Sequence, residues 1–260
     1  VDPTVQGQPR AHVEGGAQTA PRATSPGTVA AAWLVHVYTA TGTAIAMLTV
    51  IAILEGDTIR ALWLALAAMV VDGTDGMMAR HLEVKRHIPW FDGALLDNIV
   101  DYLTYAFTPM VLLWSAGYLG EGTWATVLAV VPLLASAYQF CRVDAKTQDN
   151  LFLGFPSYWN VVAFYVVVLD PGLTAVAVLL LVCAVLVFVP VGYVYPSRTN
   201  LLRGVTLTLT TLWLVSYAVL LDQVDDPSPW WLAISLGYVV YYVALSLYLT
   251  FRRKKEPVAA

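Results

Sequence analysis

Eight long apolar runs, near residues 28–54, 58–80, 93–117, 123–143, 157–169, 172–195, 200–221 and 230–251, most constrain what this chain can fold into. A helix crossing a bilayer needs roughly 20 mostly apolar residues, so the pattern predicts an all-α polytopic membrane protein of about eight transmembrane helices. The composition agrees: 58% of the 260 residues are hydrophobic and 12% are charged, far from the balance of an ordinary soluble domain. The fifth run is short and begins "FLGFPSYWN"; such a Gly/Pro-broken start predicts backbone that lines a cavity rather than lipid.

Charge placement tests this layout. Arg10, Arg22, Arg80, Lys85, Arg86, Arg142, Lys146, Arg198, Arg203, Arg252, Arg253, Lys254 and Lys255 fall on the side of both termini, and only Arg60 falls opposite. Thirteen of the fourteen Lys and Arg on one face predict that this face is cytoplasmic. The net charge of −4 says little by itself, and no nucleic-acid partner is expected. Residues 1–27, rich in Pro, Gly, Ala and Thr, read as a flexible cytoplasmic tail ahead of a transmembrane catalytic domain over 28–255. Two cysteines, Cys141 and Cys183, are too few for a disulfide framework and read as packing residues.

Against that apolar background the stretch "VVDGTDGMMAR" (70–80) stands out. It ends the second run at the cytoplasmic side, and "FDGALLDNIVDYLTYAFTP" starts the third there, so the two helices should form an antiparallel hairpin. Asp72 lies eight residues back from Arg80 and Asp101 eight residues on from Gly93. At about 1.5 Å per residue both sit on the order of 12 Å inside the interface, with Asp75 and Asp97 matched nearer the surface. Each pair, at i,i+3 or i,i+4 spacing, projects from one side of its helix.

Four converging carboxylates in a poorly solvated setting repel one another unless cations neutralise them. Hard divalent ions with oxygen ligands do so. Gly73, Gly76 and Gly93 leave backbone open to a bulky ligand, and Arg80 faces the same opening. These residues together describe a site for a diphosphate bound through metal.

The pattern Asp72-x2-Asp75-Gly76-x2-Ala79-Arg80 … Gly93-x3-Asp97-x3-Asp101 resembles the signature of the CDP-alcohol phosphotransferase family. Twelve residues separate Arg80 from Gly93 where most of the family has eight. That longer gap, with "HVYTATG" (36–42), "YQFCRVDAKTQDNLFLGFPSYWNVVAFY" (138–165) and "YPSRT" (195–199), is similar to the bacterial phosphatidylcholine synthase branch.

The resemblance implies a CDP-alcohol phosphotransferase-like bundle in the bacterial inner membrane. Its reaction would transfer the phosphatidyl group of CDP-diacylglycerol to choline and release CMP. Two ions, Mn²⁺ or Mg²⁺, would be held by Asp72, Asp75, Asp97 and Asp101, with Asp101 also the general base. Gly76, Ala79, Arg80 and Gly93 would contact the nucleotide diphosphate, and the family implies a homodimer.

Choline has no N–H donors, so its pocket should be aromatic with at most one carboxylate. Tyr138, Phe140, Asp144, Tyr158 and Trp159 supply both chemistries, although aromatic residues also gather at any membrane interface. His36, with Thr39 and Thr41, reads either as a substrate contact or as an interhelical hydrogen-bonding group. Arg198 reads as a phosphate contact or a topological anchor, and His81 and His87 as solvated loop residues. Two other functions compete: a sister enzyme using serine, glycerol phosphate or inositol phosphate, and a cation transporter using the same aspartates. A transporter should carry repeated halves, and "DGTDG" occurs once.

Overall fold

The computed structural model describes residues 25–147 and 149–255. The chain is mostly helical. Among the described residues five helices are long and apolar enough to cross a membrane: α1 (Pro26–Leu54), α2 (Thr58–His81), α6 (Gly122–Cys141), α9 (Arg203–Asp222) and α10 (Pro229–Lys255). Two shorter apolar helices are α7 (Trp159–Leu169) and α8 (Leu173–Phe188). Between α2 and α6 lie the short α3 (Val84–His87), then α4 (Gly93–Asp101), a π-helical segment (Tyr102–Phe107) and α5 (Thr108–Ser115). The tail expected over 1–27 lies outside the described residues except at its end, where Ser25 already caps α1 by accepting from the Thr28 amide.

Several boundaries have visible causes. Asp57 caps α2 through the Arg60 amide, and Asp92 caps α4 through the amides of Ala94 and Leu95, the usual role of a short acceptor at a helix start. The third apolar run is continuous but changes pitch before Pro109, which has no N–H to give the Tyr105 carbonyl and whose ring crowds it; the preceding turn widens into the π segment.

The sixth run was expected to be helical to residue 195. Instead α8 stops at Phe188, Pro190 follows, and residues 192–194 form a strand. This strand, β2 (Gly192–Val194), pairs antiparallel with β1 (Leu151–Leu153), so the all-α expectation needs a two-stranded sheet added. The free edge of β2 would leave unpaired amides. Hydroxyls of α10 satisfy it: the Gly192 amide donates to Thr250 Oγ1 at 2.8 Å and the Val194 amide to Ser246 Oγ at 3.0 Å.

Helix α1 organises the acidic end of the bundle. It packs along α2 and also against α4, the π segment and α5, while α2 meets the third run through the π segment. The expected hairpin of the second and third runs is therefore wrapped around α1. A Cβ at Gly42 would collide with Val100 Cγ1, so glycine there sets how closely α1 and α4 approach. The twelve-residue stretch 81–92 carries α3, whose Val84 and the following Ile88 bury against Ala32 and Val35 of α1. This packing fixes where α4 begins. Cys183 is buried in the core, whereas Cys141 is exposed at the end of α6.

Candidate active site

Helices α2 and α4 place carboxylates on either side of a small cavity, and α1 closes it. Asp72, Asp75, Asp97, Asp101, Thr39 and Gly42 are among its lining residues. One carboxylate oxygen each from Asp72, Asp97 and Asp101 lies within 4.8 Å of the others, and all three residues are half-buried. Three such oxygens on two rigid helices suit a hard divalent ion, because ionised carboxylates so close need a cation between them. Asp75 lines the same cavity but stands outside the tight group: its Oδ2 accepts from Thr39 Oγ1 at 2.7 Å. Asp72 is held similarly, its Oδ2 accepting from Tyr105 Oη at 2.7 Å.

The signature residues around this cluster divide. The Arg80 guanidinium folds back over Gly76, where a Cβ would lie 3.2 Å from its Nη1, and Arg80 is exposed. Gly73 faces open space. Gly93 does not: a Cβ there would lie 2.5 Å from His36 Cε1, so its clearance is taken up by the His36 ring. Ala79 packs with the α1–α3 cluster rather than facing the cavity.

His36 is buried beside Phe91 and Trp33, with ring centroids at 4.5 and 5.8 Å. Its Nε2 meets no hydrogen-bond partner among the described residues. Thr39 contacts Asp75, whereas the Thr41 hydroxyl donates to its own helix at the Tyr38 carbonyl. Arg198 lies exposed over the Tyr195 ring.

The five residues expected to surround choline have different local partners. Tyr138 is exposed against Phe188, with the Arg142 guanidinium over its ring. Phe140 packs on Tyr102. Asp144 makes a two-pronged pair with Arg142 at 2.7 and 2.9 Å, which holds its carboxyl below the usual carboxylate range. Trp159 is fully buried, its indole N–H donating to Ser136 Oγ at 2.6 Å. Tyr158 stands beside Tyr105, the partner of Asp72, with its ring 5.9 Å from Tyr105 and 6.3 Å from Tyr242 of α10.

Tyr105, Tyr242 and Lys146 also stand at the site, though they lie outside the aspartate motif. Lys146 Nζ lies 3.9 Å from Asp97 Oδ2. The adjacent "DYLTY" spacing was the one available signal for Tyr105, since it puts that tyrosine one helical turn beyond Asp101.

A multi-pass helical membrane protein with three aspartates converging from two neighbouring helices is the class that this fold and site define. Residues 33–191 match the CDP-alcohol phosphatidyltransferase family, and the chain belongs to it. It is 41% identical over 228 residues to the phosphatidylcholine synthase of Legionella pneumophila, covering 85% of this chain and 89% of that protein. It is 35% identical over 227 residues to that of Borreliella burgdorferi, covering 86% of this chain and 97% of the relative. The phosphatidylcholine synthase of Pseudomonas aeruginosa is 37% identical over 226 residues, with 86% and 93% covered.

Proposed function

We propose that this chain is a phosphatidylcholine synthase, moving the phosphatidyl group of CDP-diacylglycerol onto choline and releasing CMP. The observation that carries this reading is the reach of the similarity to phosphatidylcholine synthases, which extends over 85% of the chain and well beyond the acidic motif. In this reading residues 28–255 are the catalytic domain and cross the bacterial inner membrane about eight times. Both termini face the cytoplasm, the orientation that puts thirteen of fourteen Lys and Arg inside. A homodimer belongs to the same proposal and rests on family resemblance.

Asp72, Asp97 and Asp101 would hold Mn²⁺ or Mg²⁺, with Asp75 completing the set from the Thr39 side. Two such ions, when bound, offset charge on the diphosphate and the departing CMP. Asp101 takes the proton of the choline hydroxyl as that oxygen bonds to the phosphatidyl phosphorus and the bond from phosphorus to CMP breaks. Arg80, at the mouth beside Gly73 and Gly76, meets the diphosphate.

The flanks of the cluster differ in chemistry, and this orders the two substrates. Lys146 Nζ stands 3.9 Å from Asp97 Oδ2, and the Arg80 guanidinium lies over Gly76, the residue next to Asp75. Cations there repel a quaternary ammonium and favour the anionic donor. On the Asp72 side stand the neutral rings of Tyr105, Tyr158 and Tyr242, which suit choline's trimethylammonium.

The deciding assay supplies purified protein with Mn²⁺ or Mg²⁺ and CDP-diacylglycerol and measures CMP. Release on addition of choline is expected. Release with serine or glycerol phosphate but not with choline would remove the choline assignment.

A further inference from the structure

Lys146 has a place in the fold that its ion pair alone does not explain. Its backbone is fixed: it bridges Phe152 antiparallel, the Leu153 amide donates to the Ala145 carbonyl at 2.8 Å, and the Thr147 amide donates to the Leu151 carbonyl at 2.9 Å. The same loop is tied to the segment after β2 by Thr199 Oγ1 donating to the Asn150 carbonyl at 2.9 Å, and to α10 by Arg253 and Asp149 at 3.4 Å. Onto this anchored loop is set a flexible four-carbon stem whose ammonium reaches only to 3.9 Å of Asp97 and stays 48% exposed. A loose, half-exposed pair of this kind adds little to stability.

Lys146 stands apart from the neighbouring cations. Its Nζ lies 3.9 Å from Asp97, which converges with Asp72 and Asp101, whereas the Arg80 guanidinium lies over Gly76 and that of Arg198 over the Tyr195 ring. A divalent ion on Asp72, Asp97 and Asp101 would take over the charge that Lys146 balances and repel the ammonium. The displaced head, still tethered at the mouth, then has an anion to meet only if the ligand brings one. A cationic acceptor cannot fill that role, but a diphosphate can.

We propose that Lys146 is a donor-binding residue, a tethered counter-cation that rests on Asp97 and passes to the diphosphate of the nucleotide-linked lipid when metal and donor load. This rests on the reading that the donor is a CDP-linked lipid, but not on choline as acceptor.

The test uses full-length protein in detergent and the variants Lys146→Met and Lys146→Arg. Free Mn²⁺ is followed by electron paramagnetic resonance without nucleotide, and CDP-diacylglycerol binding by calorimetry with Mn²⁺ and no acceptor. Lys146→Met should bind Mn²⁺ severalfold more tightly, because a competing cation is gone, yet bind CDP-diacylglycerol at least tenfold more weakly. Lys146→Arg should keep donor affinity within about threefold. Unchanged donor affinity in Lys146→Met overturns the proposal, and so does weaker Mn²⁺ binding in that variant, which would mean that Lys146 merely holds Asp97 in place. A wild-type protein that uses serine instead of choline would overturn the acceptor reading, while the opposed shifts in Mn²⁺ and donor binding would still support Lys146.

Discussion

Tyr105 Oη donates a 2.7 Å hydrogen bond to Asp72 Oδ2, joining the π segment to the acidic face of α2. The bond holds the Asp72 carboxylate, one oxygen of which lies within 4.8 Å of oxygens of Asp97 and Asp101. Outer contacts that orient a ligating carboxylate typically change metal affinity or activity by roughly 10–100-fold when lost. Tyr105→Phe keeps the ring and removes the hydroxyl. It should raise the Mn²⁺ concentration for half-maximal CMP release by about tenfold or more, with partial recovery at saturating metal. An unchanged metal requirement would show that Asp72 does not depend on this bond.

Thr39 plays the matching part for Asp75 from α1, again at 2.7 Å. Thr39→Val is close in shape but cannot donate, whereas Thr39→Ser can. The valine variant should show a raised metal requirement of the order of 10-fold, and the serine variant should stay near wild type. A direct substrate contact would instead shift the KM for donor or acceptor at constant metal requirement, so a metal titration beside substrate titrations separates the two roles.

The aspartates were legible because regular helices convert sequence spacing into depth and face, and the Asp72, Asp97 and Asp101 carboxylates do converge. Asp75 was legible in position but not in partner, since its bond to Thr39 depends on how α1 crosses α2. The end of the sixth run at Pro190 was marked in the sequence, but the pairing of β2 with β1 joins residues about forty apart and leaves no local trace. The contacts of the aromatic segment 138–165 were hidden for a related reason. Trp159, at the start of α7, turns wholly into the core against Ser136, and Asp144 is consumed by Arg142. Tyr242, from a helix with no distinguishing motif, comes to lie beside Tyr158.

That arrangement gives a prediction about the acceptor. If Tyr158 offers a ring face to a trimethylammonium, Tyr158→Leu keeps apolar bulk but removes a contact of about 0.5–2 kcal/mol. The KM for choline should rise by about 2- to 30-fold, with the KM for CDP-diacylglycerol little changed. Tyr158→Phe should keep most of the affinity. Equal rises in both KM values would place Tyr158 in the scaffold of the bundle instead of the acceptor pocket.

Asp101 carries two duties in the proposed reaction, metal ligand and proton acceptor, and they can be separated. Asp101→Asn retains an oxygen ligand but removes a charge and a base. Loss of a general base alone costs roughly 10²–10⁴-fold, so turnover with choline should fall by at least that much. Binding of CDP-diacylglycerol should survive in part, because Asp72 and Asp97 still converge from separate helices and Asp75 keeps its bond to Thr39. Calorimetry with Mn²⁺ and donor, run beside a CMP-release assay, reads both quantities on one preparation. Donor binding within about tenfold of wild type, with turnover down by 10²-fold or more, would assign Asp101 to the proton transfer. Near-wild-type turnover would take both duties away from it.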